Sequence, residues 1–98
     1  MEKDTYTTSV IFRKFKEGDI VAIFPEQPGT NELSTCGCYQ HIGQHGSASI
    51  FIERYTKPSK PEEYAELMQE LEEIGYNLKI YKRWQGKFDH NRAKELAR

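Results

Sequence analysis

Four side chains within a ten-residue stretch could hold a metal: Cys36, Cys38, His41 and His45. Thiolates and neutral imidazoles are zinc ligands, and four of them would close a tetrahedral structural site. The spacing C-x-C-x2-H-x3-H is not a zinc-finger spacing. In an extended strand, alternation turns His41 away from both sulfurs unless Gly37 introduces a bulge. The favoured reading is therefore two reduced thiols beside loop histidines, with no metal and no cofactor. Cysteines two apart in a strand are also too distant to bridge without distortion. A Cys–His pair can serve as nucleophile and base, but no orienting acid accompanies this one. No G-x-S-x-G, phosphate-loop or H-E-x-x-H pattern occurs. The glutamates between Glu62 and Glu73 are spaced for solvation rather than for paired acid–base work. No catalytic residue is assigned, and the chain is expected not to be an enzyme.

Binding is the chemistry that the remaining residues suggest. The run His41-Ile42-Gly43-Gln44-His45-Gly46 places two imidazoles and an amide on a glycine-rich turn, which suits contact with a partner or an anion. Aromatic and basic residues interleave at Phe12-Arg13-Lys14-Phe15-Lys16 and again at Tyr81-Lys82-Arg83-Trp84. Lysines beside aromatics on a sheet are what single-strand nucleic-acid binders use; they are also what an edge strand uses to guard itself. The partner-binding candidates are His41, Gln44, His45, Lys82, Arg83 and Trp84.

Charge is balanced overall and segregated locally. The 98 residues carry a net charge of −1, yet residues 62–78 hold six acids and no base, while 79–98 hold seven bases and two acids. No global field favours nucleic acid or a membrane surface. No apolar run approaches the roughly 20 residues of a membrane span, and MEKDTYTTSV lacks an apolar signal core. A cytoplasmic protein without a membrane partner is expected. An aromatic content of 12% argues for a folded domain despite 30% charged residues.

The elements that must position these residues are legible as patterns. Val10–Phe15 and Asp19–Phe24 read as a hairpin turning at Gly18. Residues 25–35 read as a loop, 36–42 as a third strand, 43–46 as a second turn, and 47–55 as a fourth strand with Ala48, Ile50 and Ile52 on one face. Ser59 and Glu62 have capping-box spacing ahead of Tyr64, Leu67, Met68, Leu71 and Ile74, a helical stripe closed by Gly75. Tyr76–Trp84 resumes a two-residue period, with Tyr76, Leu78 and Ile80 inward. The expected fold is α+β, order β-β-β-β-α-β: an antiparallel sheet of four to five strands with one helix on one face. The other face, with Arg13, Phe15, Tyr39, Phe51 and Tyr81, is expected to lack a cover and to be open to a partner. Residues 1–84 form the domain; 85–98 trail as a basic C-terminal tail, in which a short helix after Asn91 is allowed but nothing forces it to pack.

Three strings, VIFRKFKEGDIVAIFPE, YQHIGQHG and TKPSKPEEYAELMQELEEIGYNLKIYKR, resemble small proteins of no assigned activity encoded on bacterial phages, plasmids and integrative elements. The likeness covers about residues 10–83. It implies a genomic setting more than a reaction. The expectation is a non-catalytic binding protein of a mobile element, acting through its sheet face and its His/Gly loop on a protein partner such as a host-defence component. The alternatives are a nucleic-acid-binding module using the basic segment 79–98, and a Cys/His metal site or enzyme.

Overall fold

Strict alternation along two central strands divides the molecule into two cores. The computed structural model describes residues 7–40 and 44–97. Strand β1 (Thr8–Lys14) and β2 (Ile20–Pro28) form the expected hairpin, in register Ile11 opposite Ile23 and Arg13 opposite Val21. Gly18 takes φ 105° in the turn between them, a conformation that side chains disfavour. Strands β3 (Thr35–Gln40) and β4 (Gln44–Ser49) extend the sheet antiparallel beyond β2. A two-residue strand, β5 (Lys57–Pro58), and a three-residue strand, β6 (Leu78–Ile80), share the other edge of β1. The result is an open α+β sheet ordered β4-β3-β2-β1-β5, with β6 beside β5 on β1. The sheet is antiparallel except at β6, which runs parallel to β1.

Helix α1 (Pro61–Ile74) covers one face, as the apolar stripe requires. Leu67 and Leu71 are buried against Val10, Phe12, Ala22, Phe24 and Tyr39, each such aliphatic contributing roughly 1.5–3 kcal/mol. Ile74 is the exception: it is more than half exposed. The cap lies one residue later than the sequence suggests. Lys60 is the N-cap, its backbone N–H donating to Glu63 Oε1 at 2.8 Å, and Pro61 begins the helix. Gly75 ends it at φ 126°, with the N–H of Tyr76 donating back to Leu71 O at 3.1 Å.

The second face is not open. Residues 86–96, expected within a basic tail, form helix α2 (Gly86–Leu96), which packs on β2. Phe88 is fully buried with Ile11, Val21, Ile23, Cys36 and Ile52. Sequence periodicity missed this because its second anchor is a charged residue: Arg92, one turn after Phe88, is 2% exposed. Arg92 donates to Pro25 O and Leu33 O, both at 2.8 Å, and to Asp89 Oδ1 at 2.9 Å. It thereby ties α2 to β2 and to the β2–β3 connection. The residues expected to share an uncovered face do not share one. Tyr39 belongs to the α1 core, Phe15 and Tyr81 pack on the α2 core, and Phe51 stands exposed outside both.

Several strand boundaries also move: the last strand is Leu78–Ile80 rather than 76–84, with Ile80 42% exposed rather than inward, and β4 already begins at Gln44, where a turn was expected. Residues 25–28 continue β2 instead of entering a loop, through a register shift between Phe24 and Pro28. The fourth strand stops at Ser49. Residues Ile52–Tyr55 form a 3-10 turn that Arg13 holds: its Nη2 donates to Glu53 O at 3.1 Å and to Thr56 O at 2.7 Å. Arg13 Nε adds Thr56 Oγ1 at 3.0 Å. A buried guanidinium with several N–H donors to satisfy competes successfully with a strand there. No helix among the described residues is long and apolar enough to cross a membrane.

Candidate functional site: a basic, aromatic cleft on the outer edge of β1

The outer edge of β1 is closed by two short strands that arrive from opposite ends. β6 pairs with Thr8–Val10, and β5 pairs with Arg13–Lys14. Neither strand's ladder reaches Phe12, although its carbonyl accepts from the Ser59 N–H at 3.2 Å, and beside its side chain the surface opens into a cleft of about 770 Å3. Both strands are short for local reasons. Pro58 lacks an N–H and ends β5, and Pro61 commits the chain to α1 three residues later. β6 ends at Ile80, where the chain leaves toward α2.

The wall of the cleft is aromatic. Tyr64 of α1 stacks on Phe12 with ring centroids 4.1 Å apart and planes 8° from parallel. Ile80, 42% exposed, and Tyr81 form the opposite side. The rim is basic: Lys57, Lys60, Lys82 and Arg83 are all exposed and line the opening, with Glu53 the single carboxylate among the lining residues. Below the rim, Arg13 is buried and engaged with the 3-10 turn. The hydrogen bond from Lys87 holds the Tyr81 phenol below its usual range, with Lys79 acting in the same direction, and in turn raises Lys87. Beside the cleft, the Lys14 ammonium sits 2.6 Å from Glu63 Oε2 and, with the Lys60 N–H, lowers that carboxyl.

The residues singled out in the sequence are not brought together. Lys82 and Arg83 are at the cleft. Trp84 lies on the α2 face, half-buried, edge-on to Phe88 with its N–H 3.2 Å from Asp89 Oδ2. It is a packing residue there rather than an open stacking platform. His45 sits at the opposite edge of the sheet, in β4 rather than in a turn, opposite Tyr39. Its Nε2 is 2.9 Å from the Tyr76 hydroxyl, and the Tyr39 ring meets it edge-on. It braces β4 to the segment after α1. His41 and the side chain of Gln44 lie outside the described residues.

The Cys/His metal arrangement does not assemble where it can be followed. Cys36 and Cys38 face the α2 core, whereas His45 points to the α1 side with Tyr76. No group of three or more potential ligands converges among the described residues. Burial pushes the Cys36 thiol up to about 12 and raises Cys38 as well, so neither is a ready thiolate.

Sequence reasoning missed Lys57, Lys60 and Tyr64 as partners of Lys82 and Arg83. The signal available was the string K-P-S-K-P, in which two prolines hold two lysines on an extended backbone. Its place beside β6 depends on both segments pairing with one edge of β1, a long-range fact. No family model, no curated protein and no solved structure matches the chain.

Proposed function

We propose that the chain is a small non-catalytic binding protein, of the mobile-element kind its sequence resembles, working in the cytoplasm and holding a polyanionic partner at the β1-edge cleft. The observation that carries this reading is the concentration of Lys57, Lys60, Lys82 and Arg83 around an aromatic wall, in a chain whose net charge is only −1. A rim of cations over apolar rings supplies steering at long range and contact at short range. An acidic segment of a protein and a nucleic acid both meet that chemistry. Both faces of the sheet carry helices, which favours the edge over a sheet face as the binding surface. The test is salt elution from an immobilised polyanion such as heparin. Lys82→Glu with Arg83→Glu is expected to elute at markedly lower salt than the parent protein, whereas Lys94→Glu, which lines a different pocket, is expected to shift elution much less. Equal elution of the Lys82/Arg83 variant and the parent would overturn the reading.

A further inference from the structure

We infer that the occupant of the cleft is single-stranded nucleic acid, lying along a strip that continues past the cleft into the neighbouring groove; this rests on the reading of the cleft as an anion site. The second groove, of about 390 Å3, is lined by Lys14, Phe15, Lys16, Arg54, Tyr55 and Lys57. Lys57 lines both grooves. The two openings meet at Lys57, with cations on either side of it and a ring in each: Tyr64, stacked by one face on Phe12, in the cleft, and Tyr55 in the groove, whereas the Tyr81 ring is already met by Lys79, Lys87 and Phe88. Tyr55 is 56% exposed, a large ring left to solvent, as is its neighbour Phe51 at 48%. A ring of that kind beside lysines offers a face for a base while the ammonium groups meet the phosphates.

An extended acidic peptide fits the same strip less well. Peptides that bind beside a sheet gain most of their affinity by adding a strand to a free edge. Here that edge is taken. Val10 O accepts the Tyr81 N–H at 2.8 Å, Phe12 O accepts the Ser59 N–H at 3.2 Å, and β5 pairs with Arg13 and Lys14. What remains accessible is side-chain chemistry, namely charge and flat rings. That combination suits a flexible polyanion whose bases stack without a fixed backbone partner. A rigid duplex hides its base faces and presents phosphate alone, which leaves Tyr55 and Tyr64 without a role.

The experiment is fluorescence anisotropy of the full chain with a labelled oligothymidylate of about 12 nucleotides, in the range one small module covers. The same oligomer as a duplex and a polyglutamate of matching charge serve as competitors. Binding is expected to weaken roughly 50-fold between about 50 and 200 mM salt, as four neutralised phosphates on a single strand require. Lys82→Glu with Arg83→Glu should flatten that salt dependence. Tyr55→Ala, at an exposed ring whose loss leaves both cores intact, should weaken binding at least fivefold at every salt concentration. Competition by duplex or by polyglutamate as effective as that by the single strand would overturn the inference while leaving the cleft an anion site. Absence of binding to all three at low salt would overturn both. Binding that ignores Lys82 and Arg83 would place any nucleic-acid contact elsewhere and would also overturn it.

Discussion

Two arginines show how charged residues do the work of core residues in this chain. Arg13 and Arg92 are 7% and 2% exposed, and each donates to two backbone carbonyls, Arg13 to Glu53 O and Thr56 O, Arg92 to Pro25 O and Leu33 O. A guanidinium buried in this way is tolerated because its terminal nitrogens meet acceptors in a fixed fork, although the buried Nε of Arg92 has no hydrogen-bond partner among the described residues. Arg92→Met is expected to cost about 3 kcal/mol or more, since Pro25 O and Leu33 O lose charged donors in a buried site. Arg92→Lys should recover little of it, because one ammonium cannot span both carbonyls and Asp89. Chemical denaturation of the three proteins measures this; a loss below about 1 kcal/mol in the methionine variant would show that the carbonyls find other partners. Gly29 is constrained in a different way. A Cβ placed there would collide with Cys36 O and stand 2.6 Å from the Cβ of Ser47, which pairs with Gly37 across β3 and β4. Gly29→Ala must displace backbone, and a lowered melting temperature is expected although the residue lies in a connection.

Cys36 gives a pH dependence with a definite sign. Its folded-state thiol is held near 12, against 9.0 for the free group, chiefly by burial. The folded protein binds that proton more tightly than the unfolded chain does. The stability it contributes is therefore fully present below about pH 9 and is lost as pH rises toward 12. Unfolding free energy of the parent should fall more steeply above pH 9 than that of Cys36→Ala. Parallel curves for the two proteins would show that the thiol is not desolvated as the packing implies.

At the scale of elements, the helix α1 and the first hairpin were legible because local pattern and tertiary role agree there. Leu67 and Leu71 fall on the buried stripe, and Gly18 and Gly75 occupy the positive-φ positions that only glycine fills easily. Leu71→Ala should cost about 2–5 kcal/mol, and Ile74→Ala far less, because Leu71 is fully buried and Ile74 is not. Equal losses at the two positions would mean that the helix is rotated from its described docking. Helix α2 was not legible for the opposite reason: its anchors, Phe88 and Arg92, sit among polar residues, and an arginine contributes nothing to an apolar stripe. The end of the fourth strand was hidden as well. Ile50 and Ile52 alternate as a strand would, and only the long-range demand of Arg13 for the carbonyls of Glu53 and Thr56 turns the chain there. The candidate site was half visible. Lys82 and Arg83 announce themselves in sequence, but Lys57 and Lys60 reach them only through the shared edge of β1.

At the scale of the whole molecule, the two cores are not independent, because β1 and β2 supply both. Val10 and Phe12 point to α1 while Ile11 points to α2; Ala22 and Phe24 point to α1 while Val21 and Ile23 point to α2. Neither helix can leave without exposing one face of the same two strands, so unfolding is expected to be a single cooperative event. The chain reports on this by itself. Trp84 is its one tryptophan, and it packs against Phe88 on the α2 side. Its fluorescence follows the docking of α2, while far-ultraviolet circular dichroism follows the sheet and both helices. The two signals are expected to give the same melting temperature and the same width, in the parent protein and in Leu71→Ala, although Leu71 lies in the other core. The substitution should move both transitions down together. A tryptophan transition that precedes the dichroism, or that stays in place when Leu71 is truncated, would show that α2 detaches alone and that the sheet stands without it.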